Sequence, residues 1–181
     1  MRVIRNRPGP ARGSGRANPG QEPRGGRYCP NGAVVAIGNF DGLHLGHLAL
    51  IGRCPRLASA GSAGDRLAVA MVTFEPLPQA FFRPQQAPAR LSTVYQKLNT
   101  LRALGVDLAW LTRFDAQFAG LSARDFVERV LVADLGARHV VIGEDFRFGR
   151  GREGDVALLR ELGAELGFRV QVEPAVHRDG E

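Results

Sequence analysis

His44 and His47 stand three residues apart in "GNFDGLHLGHLALI" (38–51), directly behind the apolar run "AVVAI" and among Gly38, Gly42 and Gly46. On a helix this spacing puts both imidazoles on one face within the first turn. The unpaired N–H groups and the positive end of the helix dipole point the same way, which favours a phosphate. Glycines lack side chains, so a bulky anion can come close to the backbone. An imidazole donates a hydrogen bond whether charged or neutral, and strengthens it as negative charge builds up. Plainer readings stand beside this one. The pair could be ordinary surface or core histidines next to a tight turn, or, with Asp41, a partial metal ligand set. No third His or Cys follows at a spacing suited to zinc, so no metal ligand is assigned. The whole string, strand then GNFDG then HxGH, favours phosphate.

These residues need a scaffold that brings a strand end to a helix start. The chain supplies it by alternation. Buried-strand patterns occupy 33–39, 67–74, 106–114, 138–143 and 168–174, and helical patterns occupy 43–54, 93–104, 122–135 and 155–166. Pro55 is expected to end or kink the first helix. Gly105, Gly136 and Gly167 close the other three, and Ser122 with Asp125 has the spacing of an acidic capping box. Strands that read as continuous apolar runs and alternate with helices predict an α/β fold, a doubly wound parallel sheet of about five strands with helices on both faces. Ligands bind such sheets beyond the carboxyl ends of the strands, which is where the histidines fall.

The 181 residues suffice for one domain with a full core, and carry a net charge of +6. Seven arginines and one glutamate within residues 1–30 account for that excess, leaving 31–181 neutral. Residues 1–30, rich in Arg, Gly and Pro, are expected to be disordered, with 31–181 as the folded domain. No basic face interleaved with aromatics accompanies them, so no specific nucleic-acid partner is expected. Lacking a long apolar run or a secretory h-region, the chain is expected to be cytoplasmic with no membrane partner. Cys29 and Cys54 read as free thiols. Trp110 reads as core.

Four segments carry a family resemblance. "VAIGNFDGLHLGH", "VTFEPLP", "RLSTVYQKLNTL" and "VVIGEDFRFGRGREGD" together resemble the bacterial FAD synthetases, the bifunctional riboflavin kinase/FMN adenylyltransferases, from about Ala33 to the last residue. The resemblance implies a Rossmann-like nucleotidyltransferase of the HxGH type that transfers AMP from ATP to FMN, releasing pyrophosphate and forming FAD, with Mg2+ accompanying ATP. It implies that His44 and His47 are catalytic and contact the ATP phosphates, and that Gly38, Phe40, Asp41 and Gly46 build the nucleotide loop. By the same resemblance Asp145, Phe146 and Phe148 bind flavin, along with Phe74, Glu75 and Pro76 at the end of the second strand, while Arg147 and Arg150 face phosphate. Longer members continue with a Ser/Thr-rich stretch ending in Arg and a riboflavin kinase barrel. The sequence stops at "VHRDGE" before either, so that domain is expected to be absent and AMP transfer impaired. Residues 6–30 are a further departure from the pattern.

Two motifs are set aside on their chemistry. Gly149, Gly151 and Gly154 spell GxGxxG, but the first lies six residues past the strand end, too late for a dinucleotide fingerprint. Lys97, the only lysine, reads as a helix-surface residue and belongs to no phosphate-binding GKS or GKT, which excludes P-loop kinase chemistry. Two other functions stay open: a flavin- or nucleotide-binding module without turnover, and an HxGH transferase for another phosphorylated substrate such as pantetheine phosphate or nicotinamide mononucleotide. The "GEDFRFG" segment argues against the second.

Overall fold

The structure, a computed structural model, describes residues 1–6, 27–59 and 66–175. Its centre is a six-stranded, wholly parallel sheet. The elements run β1 (Arg2–Asn6), β2 (Ala33–Ile37), α1 (Leu45–Ala58), β3 (Ala68–Glu75), α2 (Pro78–Phe82), α3 (Val94–Ala103), β4 (Leu108–Arg113), α4 (Ala116–Ala119), α5 (Ala123–Phe126, continued as a π-helical stretch over Val127–Asp134), β5 (Ala137–Gly143), α6 (Val156–Leu166) and β6 (Arg169–Glu173). Across the sheet the order is β1-β4-β3-β2-β5-β6.

Both faces of β2 are buried, as its unbroken apolar run requires. Val35 and Ile37 pack with Phe126, Leu131 and Leu159 of the α5 and α6 side. Val34 and Ala36 pack with Leu50, Ile51 and Leu101 of the α1 and α3 side. From β2 the chain moves one way through β3 and β4, then returns to β5 and β6 on the other side. Right-handed crossovers therefore place α1 and α3 on one face and α5 and α6 on the other. The reversal lies between β2 and β5, and a crevice opens above it.

Several expectations are corrected. The sheet has a sixth strand, β1, inside the segment expected to be disordered: Arg2–Asn6 pairs in parallel with β4, from Arg2 beside Leu108 to Asn6 beside Thr112. Residues 27–30 are ordered too, with the Tyr28 N–H donating to the Asp134 carbonyl at 2.8 Å and Cys29 buried, while residues 7–26 lie outside the described residues. Pro55 does not end the first helix, which runs on to Ala58. Proline removes a single backbone donor there, and the buried stripe of Leu50, Ile51, Cys54 and Ala58 keeps the last turn on the sheet. The helix from 123 to 134 is π-wound over most of its length, with the Leu135 N–H donating to the Val130 carbonyl five residues back. Ser122 does cap it, accepting from the Asp125 N–H, and Gly167 closes α6 in the left-handed conformation at φ 85°. Cys29 and Cys54 are free and buried, and burial pushes their thiols up to about 11 and about 12. Trp110 is core.

Candidate functional site

The turn after β2 is built to present two imidazoles. Phe40, Gly42 and Leu43 all have positive φ, at 46°, 68° and 22°. Phe40 is wholly buried, and its ring lies where a side chain on Gly38 would sit, 3.2 Å from the Cβ position. It supports the loop from beneath and has no surface to offer a nucleotide. His44 is the N-cap of α1 and His47 lies in its first turn, with ring centroids 3.7 Å apart and nearly parallel. A Cβ on Gly46 would come within 3.2 Å of the His44 ring, so glycine leaves that ring room against the helix backbone. No side chain caps α1 and no acidic residue stands in its first turn, leaving the terminal N–H groups available to an anion.

Burial, then the neighbouring His44 and Lys97, depress the His47 pKa to about 4, with Asp41 opposing. His47 is therefore neutral at pH 7. Its Nδ1 is buried and has no protein partner. Asp41 has its carboxylate committed elsewhere. Oδ1 accepts from the Ser92 N–H at 2.9 Å and the Ser92 hydroxyl at 3.0 Å, and Oδ2 accepts from the Leu91 N–H at 3.1 Å. Burial raises its pKa, but these hydrogen bonds outweigh it and the net shift is downward. Asp41 thus ties the turn to the segment leading into α3.

Lys97 is the main correction at this site. It is 3% exposed rather than on the helix surface, and its Nζ donates to the Asn39 carbonyl at 2.8 Å and the Thr73 hydroxyl at 3.4 Å. Its place four residues before buried Leu101 is the signal that could have revealed it.

On the far side of Gly38 and Asn39, above the β2/β5 reversal, a cavity of about 820 Å3 opens. Phe74, Phe118, Phe126 and Phe148 form a continuous aromatic wall, with consecutive centroids 5.7, 6.0 and 5.9 Å apart. Phe146 stacks on Phe148 at 5.4 Å and 15°. Asp145, Arg83, Arg147 and Arg152 supply polar groups around it. The size and the mix of apolar wall with few polar groups suit a flat polycyclic ligand.

Of the flavin-side residues chosen from the sequence, Phe74, Asp145, Phe146, Phe148 and Arg147 meet in this cavity. Glu75 and Pro76 are not in its lining: Glu75 forms an ion pair with Arg90, and the Glu75–Pro76 peptide is cis. Arg150 turns to Glu153, at 4.0 Å, and Arg152 takes its place at the cavity. Sequence reasoning missed Arg83, Phe114, Phe118 and Phe126, which are brought in from distant segments. The histidines do not line the cavity; they lie on the other side of the Gly38–Asn39 junction.

The GxGxxG glycines serve loop geometry. A Cβ on Gly149 would strike the Ala123 backbone at 2.6 Å, and one on Gly154 would strike the Phe148 ring at 2.7 Å. Phe148 and Gly154 pair across the loop, and the Glu153 carboxylate accepts from the Ala123 N–H at 2.7 Å.

Fold and site together define an α/β nucleotidyltransferase-like protein. The FAD synthetase family pattern matches residues 27–181, and the chain belongs to that family. It is 44% identical over 139 residues to the bifunctional riboflavin kinase/FMN adenylyltransferase of Escherichia coli strain K12, covering 77% of this chain and 43% of the relative. The chain therefore spans less than half the length of the curated relatives it matches. Among solved structures, the macrolide-efflux protein from Streptococcus pneumoniae superposes with a TM-score of 0.69 at 26% identity, covering 83% of this chain and 48% of that one. Pantoate-β-alanine ligase from Francisella tularensis, complexed with β-γ ATP and β-alanine, shares the fold at a TM-score of 0.52 and 15% identity, covering 83% of this chain and 62% of that one. No helix among the described residues is long and apolar enough to cross a membrane.

Proposed function

We propose that this chain transfers AMP from ATP to FMN, forming FAD and releasing pyrophosphate. The observation that carries the reading is the junction at Gly38 and Asn39, which separates an imidazole-bearing helix N-terminus from an aromatic cavity large enough for a flavin. The histidine turn suits the triphosphate and the cavity suits the flavin, and both start from the end of β2. Membership of the FAD synthetase family supports the same assignment.

The chemistry is one in-line displacement. An FMN phosphate oxygen forms a bond to the α-phosphorus of ATP, the bridging α–β oxygen bond breaks, and pyrophosphate leaves with the electron pair. Negative charge grows on the phosphate oxygens, and the residues present answer it with fixed donors. His44 and His47 donate N–H groups, His47 in its neutral form, and the first amides of α1 add theirs. Removing one such donor typically costs about 10²- to 10³-fold in rate. Orientation supplies the rest, and no covalent intermediate is needed. In the cavity the ring system packs against Phe146, Phe148 and Phe74, Asp145 takes a hydrogen bond from flavin, and Arg147 faces phosphate.

Mg2+ enters as part of the substrate, on the ATP phosphates. Among the described residues no cluster of three His, Cys, Asp or Glu could hold a metal, and both Asp41 oxygens are engaged. No step is assigned to a protein-held ion. The same proposal assigns the reaction to the cytoplasm. Incubating the chain with ATP and a mixture of FMN, pantetheine phosphate and nicotinamide mononucleotide tests the reading. FAD as the product supports it; adenylation of another acceptor, or flavin binding with no pyrophosphate release, refutes it.

A further inference from the structure

The sole lysine of the chain is buried against Asn39, where the histidine turn meets the cavity lining. Its ammonium group and the Thr73 hydroxyl both donate to one acceptor, the Asn39 carbonyl, at 2.8 and 2.9 Å. Thr73 is fully buried as well. Asn39 belongs to the cavity rim, and the loop that leaves it carries the positive-φ residues and the two histidines. The same helix end holds that loop at a second point, through the Ser92 and Leu91 bonds to Asp41.

A buried ammonium is an expensive way to satisfy one carbonyl. Thr73 alone already provides a donor, and an apolar chain of similar length would fill the space without desolvating a charge. The observed burial does depress the Lys97 pKa, with Asp41 partly compensating and Arg90 adding to the depression. Retention of the ammonium therefore points to position rather than to stability. A carbonyl held by two donors cannot drift, and the backbone at Asn39 fixes how far the nucleotide end lies from the flavin end.

We infer that Lys97, together with Thr73, is a positioning residue for nucleotidyl transfer, pinning the Asn39 carbonyl so that the histidine turn and the cavity keep the spacing that in-line attack requires. This rests on the functional reading above. Lys97 touches neither substrate in this account; it acts through Asn39. It also adds positive charge near His47, whose other charged or titratable neighbours are His44 on its own helix and Asp41 in the turn.

The test compares wild type with Lys97→Met and Thr73→Val. For Lys97→Met the expectation is a fall in kcat of about a hundredfold, the scale of a small misplacement of reacting groups. The FMN Kd by fluorescence quenching and the ATP Kd by calorimetry should each stay within about threefold, since neither the histidine turn nor the cavity loses a contact residue. The His47 ring protons, followed by NMR in the ligand-free chain, should titrate at higher pH than in wild type, because a nearby positive charge is gone. Thr73→Val should lower kcat by about tenfold with the same split, since one of two donors remains. A folded Lys97→Met variant with wild-type kcat, or one whose loss lies wholly in substrate affinity, overturns the inference. If Lys97→Met does not fold, Thr73→Val decides by the same criteria. Wild-type chain that makes no FAD overturns the functional reading itself, whereas active wild type with unaffected variants overturns only the role of Lys97.

Discussion

The histidine turn and the aromatic cavity both start from the end of β2, yet they are made in opposite ways. The turn comes from one stretch, residues 38–47, whose backbone is held in positive-φ conformations and tied down by Asp41 and Lys97. The cavity draws its lining from four separate segments, at Gly38–Asn39 and within 74–83, 114–126 and 145–152, and its main material is phenylalanine. Fixed donors suit a site where charge develops in the transition state and no reorganisation is affordable. Aromatic rings offer large, sequence-distant surfaces that grip a flat ligand in its ground state. Under the proposed function the difference amounts to a division of labour: the turn would govern rate, and the cavity would govern affinity for the acceptor.

The sharpest way to break that division is to remove both imidazoles. His44→Ala with His47→Ala should lower FAD formation by about 10³-fold or more while FMN quenching gives an unchanged Kd. Loss of FMN affinity in that variant would merge the two regions into one. Phe146→Ala should act in the opposite sense, weakening FMN by about tenfold, in line with one lost aromatic pair of about 1 kcal/mol, and leaving the ATP Kd unaltered. Gly149→Ala probes the scaffold of the cavity alone. With φ at 76° and the Ala123 backbone 2.6 Å from the new Cβ, it should lower unfolding stability by more than about 1 kcal/mol in urea titrations and depress FMN affinity before ATP affinity.

The gentlest probe is pH. His47 has a folded pKa of about 4, below its unfolded value of about 6.5. The unfolded state thus binds a proton more readily. The contribution of this residue to stability is complete above about pH 6.5 and is lost progressively as the pH falls toward 4. NMR titration should find its midpoint well under the ordinary histidine value, and His44→Ala should move it upward by removing the second-largest cause of the depression.

What could be read in the sequence follows the same line between local and distant. The strand, turn and HxGH helix were legible because glycine, periodicity and capping signals are all carried within fifteen residues. So were the α/β alternation and the Phe146–Phe148 loop. β1 was not, because "RVIRN" has little apolar content of its own and is defined by pairing with β4, more than a hundred residues on. Pro55 was overrated as a stop, since the buried face of α1 outweighs one missing hydrogen bond. Lys97 was placed by its charge, although its spacing from Leu101 put it on the buried stripe. Phe114, Phe118 and Phe126 carry no local mark of a binding wall; they come from the end of β4, from α4 and from α5, and meet Phe74 and Phe148 only in the folded chain.

The central claim is that the histidine turn and the aromatic cavity hold ATP and FMN together for direct transfer. Following the α-phosphate of radiolabelled ATP tests it most directly. The account predicts label in FAD, one pyrophosphate released for each labelled flavin, and no release without FMN. Pyrophosphate or label appearing independently of FMN, or label that never enters flavin, would contradict it.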